Sequence, residues 1–172
     1  MASTPRIDTI ETDNSTQDGR LDVLEAPGDV ELYLDSGNGH GSTNTVIRRF
    51  SNIRKNTLGA NATYVDSATD GMSVTILKAG KYSINYTDGS SLGSGIPSGI
   101  SLNSSNLTTS IFALTYAQGK RAITNQTYSV NGMVNLGITL HLQVGDIIRV
   151  HTTSSVNFTD SNSLFQMSKV GN

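Results

Sequence analysis

The chain has 172 residues, 35% hydrophobic and 15% charged, with a formal net charge of −2 and no cysteine. No disulfide can staple the fold, and no thiolate can serve as nucleophile or metal ligand. The small net charge argues against a disordered chain, and the absence of an overall basic excess argues against a nucleic-acid module.

Charge is unevenly placed. Residues 1–35 hold nine acids against Arg6 and Arg20, a net −7, whereas residues 36–172 hold five acids and ten bases, a net +5. This asymmetry suggests an acidic arm on a mildly basic body. Residues 1–19 are polar and aperiodic, with no apolar core of a secretory signal, so synthesis and folding in the cytoplasm are expected. No apolar run approaches the ~20 residues that would span a bilayer, so no membrane insertion is expected.

Residues 20–35 read as a hairpin. Leu21, Val23 and Leu24 precede an Ala26-Pro27-Gly28-Asp29 turn, and Val30, Leu32 and Leu34 alternate with polar residues beyond it. A lone hairpin is marginal in water, so these six residues form a candidate docking element that packs on something else. The run SGNGHGS at 36–42 reads as a Gly-rich linker. The expected organisation is a docking arm over 1–40 and a single domain over 41–172.

From residue 43 onward each segment is strand-like. Residues 45–51 are β-branched and aromatic. Met72, Val74 and Ile76 alternate with polar residues, as do Tyr82, Ile84 and Tyr86 after the Ala79-Gly80 break. Further strands are expected near 100–102, 111–116, 128–136, 138–142, 147–151 and 164–170. Turn signals at Asp88-Gly89, 103–106, Gln118-Gly119 and Gly145-Asp146 separate them. Short strands with regular turns predict an all-β sandwich or barrel, with no capped helix longer than two turns.

The chemistry of sites is sparse. His40 lies in the linker, and His141 and His151 flank the 144–146 turn, where adjacent strands could bring them together. A metal would need a third ligand that the spacing does not supply. There is no zinc-hydrolase helix motif and no nucleophile elbow. The five acids of the body, Asp66, Asp70, Asp88, Asp146 and Asp160, all sit beside turn-type residues and read as turn formers. No catalytic, cofactor-binding or metal residue is assigned, and the chain does not read as an enzyme.

The stretch GSTNTVIRRFSNIRKN at 41–56 concentrates Arg48, Arg49, Arg54 and Lys55. On a strand Arg48 and Arg49 face opposite ways, so they do not make a nucleic-acid stripe. They fall where the acidic arm joins the body, and are expected to pair with acids of the arm or of a neighbouring subunit.

Four runs carry a family resemblance: GSTNTVIRRFSN, ATYVDSATDGMSVTILKAGKYSINYTD, GISLNSSNLTTSI and LQVGDIIRVHTTSS. With the Gly80-Lys81-Tyr82 strand start, the Gly145-Asp146 turn and the late Phe165, residues 41–172 resemble the jelly-roll module of bacteriophage virion proteins. That module is similar to the C1q/TNF-like trimeric domain. The resemblance implies a ten-strand, two-sheet C1q/TNF-like jelly roll that assembles as a homotrimer. It makes Tyr82, Ile84, Tyr86, Val134, Leu136 and Phe165 candidates for core or trimer-axis packing. It also implies a non-enzymatic virion protein, assembled in the bacterial host cytoplasm. The role expected first is capsid decoration, as a cement or head-fibre protein, with the major capsid protein or another virion protein as partner. The alternative is a tail-fibre or spike adhesin that meets a host-surface glycan or an envelope protein.

Overall fold

The computed structural model describes residues 30–90, 97–123, 132–153 and 158–172. Within them the chain forms ten strands: β1 (Glu31–His40), β2 (Arg48–Asn56), β3 (Ala62–Ser67), β4 (Gly71–Ile76), β5 (Gly80–Ser90), β6 (Ser98–Leu102), β7 (Lys120–Ile123), β8 (Gly132–Leu142), β9 (Ile147–Thr152) and β10 (Phe158–Gly171). A short 3-10 turn at Tyr116–Gln118 is the helical element among the described residues. Two five-stranded sheets result, ordered β2-β1-β10-β5-β8 and β3-β4-β9-β6-β7. Every described strand pair is antiparallel. The chain crosses repeatedly between the sheets, the topology of a jelly roll.

Period-2 alternation explains the strands. Tyr82, Ile84 and Tyr86 of β5 point inward with Leu32 and Leu34 of β1 and Met72, Val74 and Ile76 of β4. The intervening residues of β5, such as Lys81 and Asn85, are exposed. Phe50 and Phe165 meet in this core with ring centroids 6.4 Å apart. Full burial of each such side chain contributes about 1.5–3 kcal/mol relative to exposure.

Several expectations are corrected. Val30, Leu32 and Leu34 are not the second arm of a docking hairpin. β1 lies between β2 and β10, so Leu32 pairs with both Asn56 and Met167, and both of its hydrogen-bonding edges are taken. Leu32 and Leu34 are fully buried, and Val30 packs against the same core. The hairpin partners Leu21, Val23 and Leu24 lie outside the described residues.

The expected linker differs as well. Residues up to His40 continue β1, with a register shift between Gly37 and His40 that absorbs the Gly-rich composition. The sandwich therefore begins at β1 rather than at residue 41. The strand expected over 111–116 is a turn-rich loop. The two strands expected over 128–136 and 138–142 are one, β8, within the described residues. The Asp88-Gly89 turn is not a turn at all, because β5 runs through both residues to Ser90.

Candidate functional site

Three features of the sandwich carry charge, strain or exposure: a buried ion pair, an edge strand with partly covered apolar residues, and a pinned surface loop.

The ion pair sits in the core. Arg48 is 1% exposed and Asp88 0%. Arg48 Nε donates to Asp88 Oδ2 at 2.7 Å, and Nη2 donates to Oδ1 at 2.9 Å, a two-pronged pair. Tyr86 donates its hydroxyl proton to Oδ2 at 2.7 Å, and the Gly89 amide donates to Oδ1 at 3.0 Å. Ser163 accepts from Arg48 Nη2 at 2.7 Å and donates to Asp88. Arg48 Nη1 reaches the Gly39 carbonyl at 3.2 Å. Ser98 of β6 meets Tyr86 at 3.0 Å. Three strands, β2, β5 and β10, thus meet at one carboxylate, and β1 and β6 join the network through Arg48 and Tyr86. Burial, followed by the negative charge of Asp88, pushes the Tyr86 hydroxyl well above its usual range.

The other basic residues pair nearby. Arg49 Nη2 lies 2.8 Å from Asp66, Arg54 Nε 2.6 Å from Asp35, and Lys55 Nζ 2.9 Å from Glu31. The expectation for Arg48 and Arg49 is corrected: both find acids of the sandwich itself. Arg54 and Lys55 do pair with acids of the segment first read as the arm. That segment is β1, however, so these are neighbouring-strand contacts within one sheet.

The six packing candidates all point into the sandwich. Tyr82, Ile84, Tyr86, Val134 and Phe165 are buried in the core, and Leu136 packs against it from the edge. The outer face of the same sheet is small and polar, with Ser83 and Asn85 on β5, Thr139 on β8 and Gln166 on β10.

The second feature is the edge at β8. The edges at β2 and β3 lie together, since β2 touches β3, β4 and β9. β8 is an edge strand of its sheet among the described residues. Leu136, Ile138 and Leu140 are accordingly only partly buried, and Met133 is exposed.

The third feature is the loop between β6 and β7, residues 103–119. His151 Nε2 lies 2.7 Å from the Thr109 carbonyl and Nδ1 3.2 Å from Ser101 Oγ. The loop therefore covers the outward side of β9. His151 is held below its usual pKa, mainly by burial and additionally by the charge of Arg149; the hydrogen bond to Thr109 opposes this. At the loop's start Asn103 donates to Asp146 Oδ1 at 2.7 Å and accepts from the Ile147 amide at 2.7 Å.

The histidines do not converge. His141 is on β8 and His151 on β9, strands of different sheets. His40 Nε2 instead meets Thr152 Oγ1 at 3.1 Å. Among the described residues no cluster of three His, Asp or Glu could hold a metal. Nor is any helix among them long and apolar enough to cross a membrane.

Asp88, His151 and the aromatic residues of the loop were missed as special from sequence. For Asp88 a signal existed. It continues the even-numbered inward set Tyr82, Ile84 and Tyr86, as Arg48 shares the parity of Phe50. Opposite charges on inward positions of two apolar strands foretell a buried pair.

Strand order and sandwich geometry define the C1q/TNF-like jelly roll. Solved structures share it. Murine APRIL at pH 8.0 superposes with a TM-score of 0.56 at 14% identity, covering 81% of this chain and 97% of that one. The globular domain of zebrafish complement 1qA gives 0.57 at 11% identity, covering 83% and 98%. Eiger TNF from S. frugiperda gives 0.53 at 13% identity, covering 81% and 91%. No family model matches the chain, and no curated protein matches it.

Proposed function

We propose that this chain is a non-enzymatic structural protein, a homotrimeric jelly-roll knob that decorates a bacteriophage capsid. The observation that carries self-association is the β8 edge. Leu136, Ile138 and Leu140 face inward yet stay partly uncovered, beside exposed Met133. A second copy laid along this edge would complete the cover, and a closed ring of three would do so for every subunit. The C1q/TNF-like fold and the family resemblance of the sequence support three as the number.

The docking element narrows to residues 1–29, which hold seven acids against two bases, a net −5. Leu21, Val23 and Leu24 supply its apolar anchor, and the major capsid protein or another virion protein is its partner.

Light scattering on purified protein tests the assembly: three times the chain mass is expected, and a monomer at micromolar concentration overturns it. Ile138→Asp should shift the mass toward monomer. Deleting residues 1–29 should leave a folded trimer that no longer adds to particles, and retained addition would remove the docking role. Deleting 1–40 also strips β1 from the core and should prevent folding. Copy number per particle separates decoration, with hundreds expected, from a tail position with a few dozen at most.

A second reading, a tail adhesin for a host-surface glycan or an envelope protein, is favoured by one observation. The loop 103–119 holds bulky aromatic rings in solvent.

A further inference from the structure

The loop between β6 and β7 is exposed in its side chains and restrained in its backbone. Ile111 and Leu114 are buried beneath it. The Ile111 amide donates to the Thr152 carbonyl at 3.0 Å, and the Leu102 amide donates to the Gly119 carbonyl at 2.9 Å. Thr115 and Gln118 close a capping box around the 3-10 turn. His151 holds Thr109 from below.

On the solvent side Phe112 is 60% exposed and Tyr116 76%, the exposed aromatic rings among the described residues. Single exposed apolar residues are ordinary, but two rings on a stretch anchored from beneath are a preorganised surface. Conformational entropy that a ligand would otherwise have to remove is already lost.

The charge set against the Phe112 ring is positive. Lys120 Nζ sits 5.7 Å from the Phe112 ring centroid. From residue 89 to residue 145 the chain has no Asp or Glu. Hydroxyl and amide groups fill the rest of the loop, among them Ser105, Asn106, Thr108 and Thr115.

We infer that this loop is a binding site for acidic saccharides, chains bearing carboxylates on their sugar rings. The flat C–H face of a sugar stacks on Phe112 and Tyr116, whose ring faces are electron-rich. Lys120 meets a carboxylate in charge-assisted hydrogen bonds. The loop hydroxyls and amides meet the sugar hydroxyls.

The inference deepens the second reading above by naming its ligand class and site. It does not require the trimer or the capsid. Its test is direct binding to purified full-length protein, so its failure is distinct from failure of particle docking.

Isothermal titration with short oligomers of galacturonate, mannuronate and hyaluronan should detect binding to at least one, weakening as salt is raised. Neutral maltose and cellulose oligomers should not bind. Phe112→Ala, Tyr116→Ala and Lys120→Gln should each weaken binding about tenfold, a change of about 1.4 kcal/mol. Their thermal midpoints should stay at the parent value, because the first two rings pack on no core and Lys120→Gln keeps its stem. The proposal is overturned if no acidic oligomer binds, or if neutral oligomers bind equally well. It also fails if the aromatic variants bind like the parent, or if poly-glutamate competes as well as the saccharide does.

Discussion

Arg48 of β2 and Asp88 of β5 meet inside the sandwich, in the same sheet with β1 and β10 between their strands, with nitrogen–oxygen distances of 2.7 and 2.9 Å. Neither charge reaches solvent, and each is satisfied by further hydrogen bonds. Such a pair costs desolvation energy, and its net contribution to stability is small when it is complete. What it supplies is registry. A one-residue slip of β2 would turn Arg48 outward and leave Asp88 buried alone.

Removing one partner should therefore cost far more than removing both. Arg48→Met or Asp88→Leu alone should lower unfolding free energy by about 3–5 kcal/mol, because the remaining charge is stranded. The double variant should recover most of that loss. Urea titration of all three variants checks the cycle, and additive single losses would mean the two residues act independently. Arg54→Ala, on the exposed Asp35 pair, should leave the urea midpoint unchanged.

Acid should weaken the fold through His151. Its pKa is lower folded than the ordinary 6.5, first because of burial. The unfolded chain therefore binds more protons below that value. Stability is full above about pH 7 and falls as pH drops through the unfolded pKa toward the folded one. His151→Gln should flatten this part of the curve. Denaturant midpoints between about pH 7.5 and about pH 5 measure it. An unchanged slope in the variant would assign the acid response to other groups.

Alkali should reveal three tyrosines of a different kind. Tyr64, Tyr82 and Tyr86 are all held above the usual 10.0, in each case chiefly by burial. Their hydroxyls are engaged too: Tyr64 bonds the Phe50 carbonyl across the sandwich, and Tyr82 the Lys78 carbonyl at 2.7 Å. A folded pKa above the unfolded one means that stability falls as pH rises past 10.0. In an ultraviolet titration these three should ionise together with unfolding. Early titration of Tyr86, seen as a late step in Tyr86→Phe no smaller than the parent's, would contradict the burial.

The loop's geometry depends on one glycine. Gly119 ends the 3-10 turn at φ +97, and a Cβ there would come 2.5 Å from the Leu102 carbonyl oxygen and 2.6 Å from Ser104 Cα. Both neighbours are backbone and cannot swing away. Gly119→Ala should cost about 2 kcal/mol or more and loosen the loop that carries Phe112 and Tyr116. Gly145→Ala is the control. Its φ is +90, but nothing lies within 4 Å, so only the backbone preference is lost, about 1 kcal/mol. Hydrogen exchange over 103–119 should rise in the first variant and not in the second.

Much of the sandwich was legible in the chain because alternation is a local property. Met72 to Ile76, Tyr82 to Tyr86 and the 143–146 turn each declare themselves within a few residues. Failures came where a local signal had two meanings. Gly-rich residues 36–40 read as a linker, yet they continue β1, and pairing of Gly37 and His40 with β2 across a register shift supplies the order that side chains lack. Residues 111–116 have strand-like composition, but Ile111 and Leu114, at a spacing of three, are the buried ones, which is a turn's pattern and not a strand's.

By itself, then, the sequence determined the class of the protein: all-β, cysteine-free, mildly basic in its body and acidic at its start, because these follow from composition and period-2 patterning. The tertiary structure decided the partners. The acids that Arg48 and Arg49 meet lie 40 and 17 residues away in sequence, and no local rule selects them. Only the assembled strand order brings Asp88 against Arg48, covers His151 with the 103–119 loop and leaves Phe112 and Tyr116 in water. Long-range pairing settles each of these, since an inward parity says that a side chain is buried but not against what.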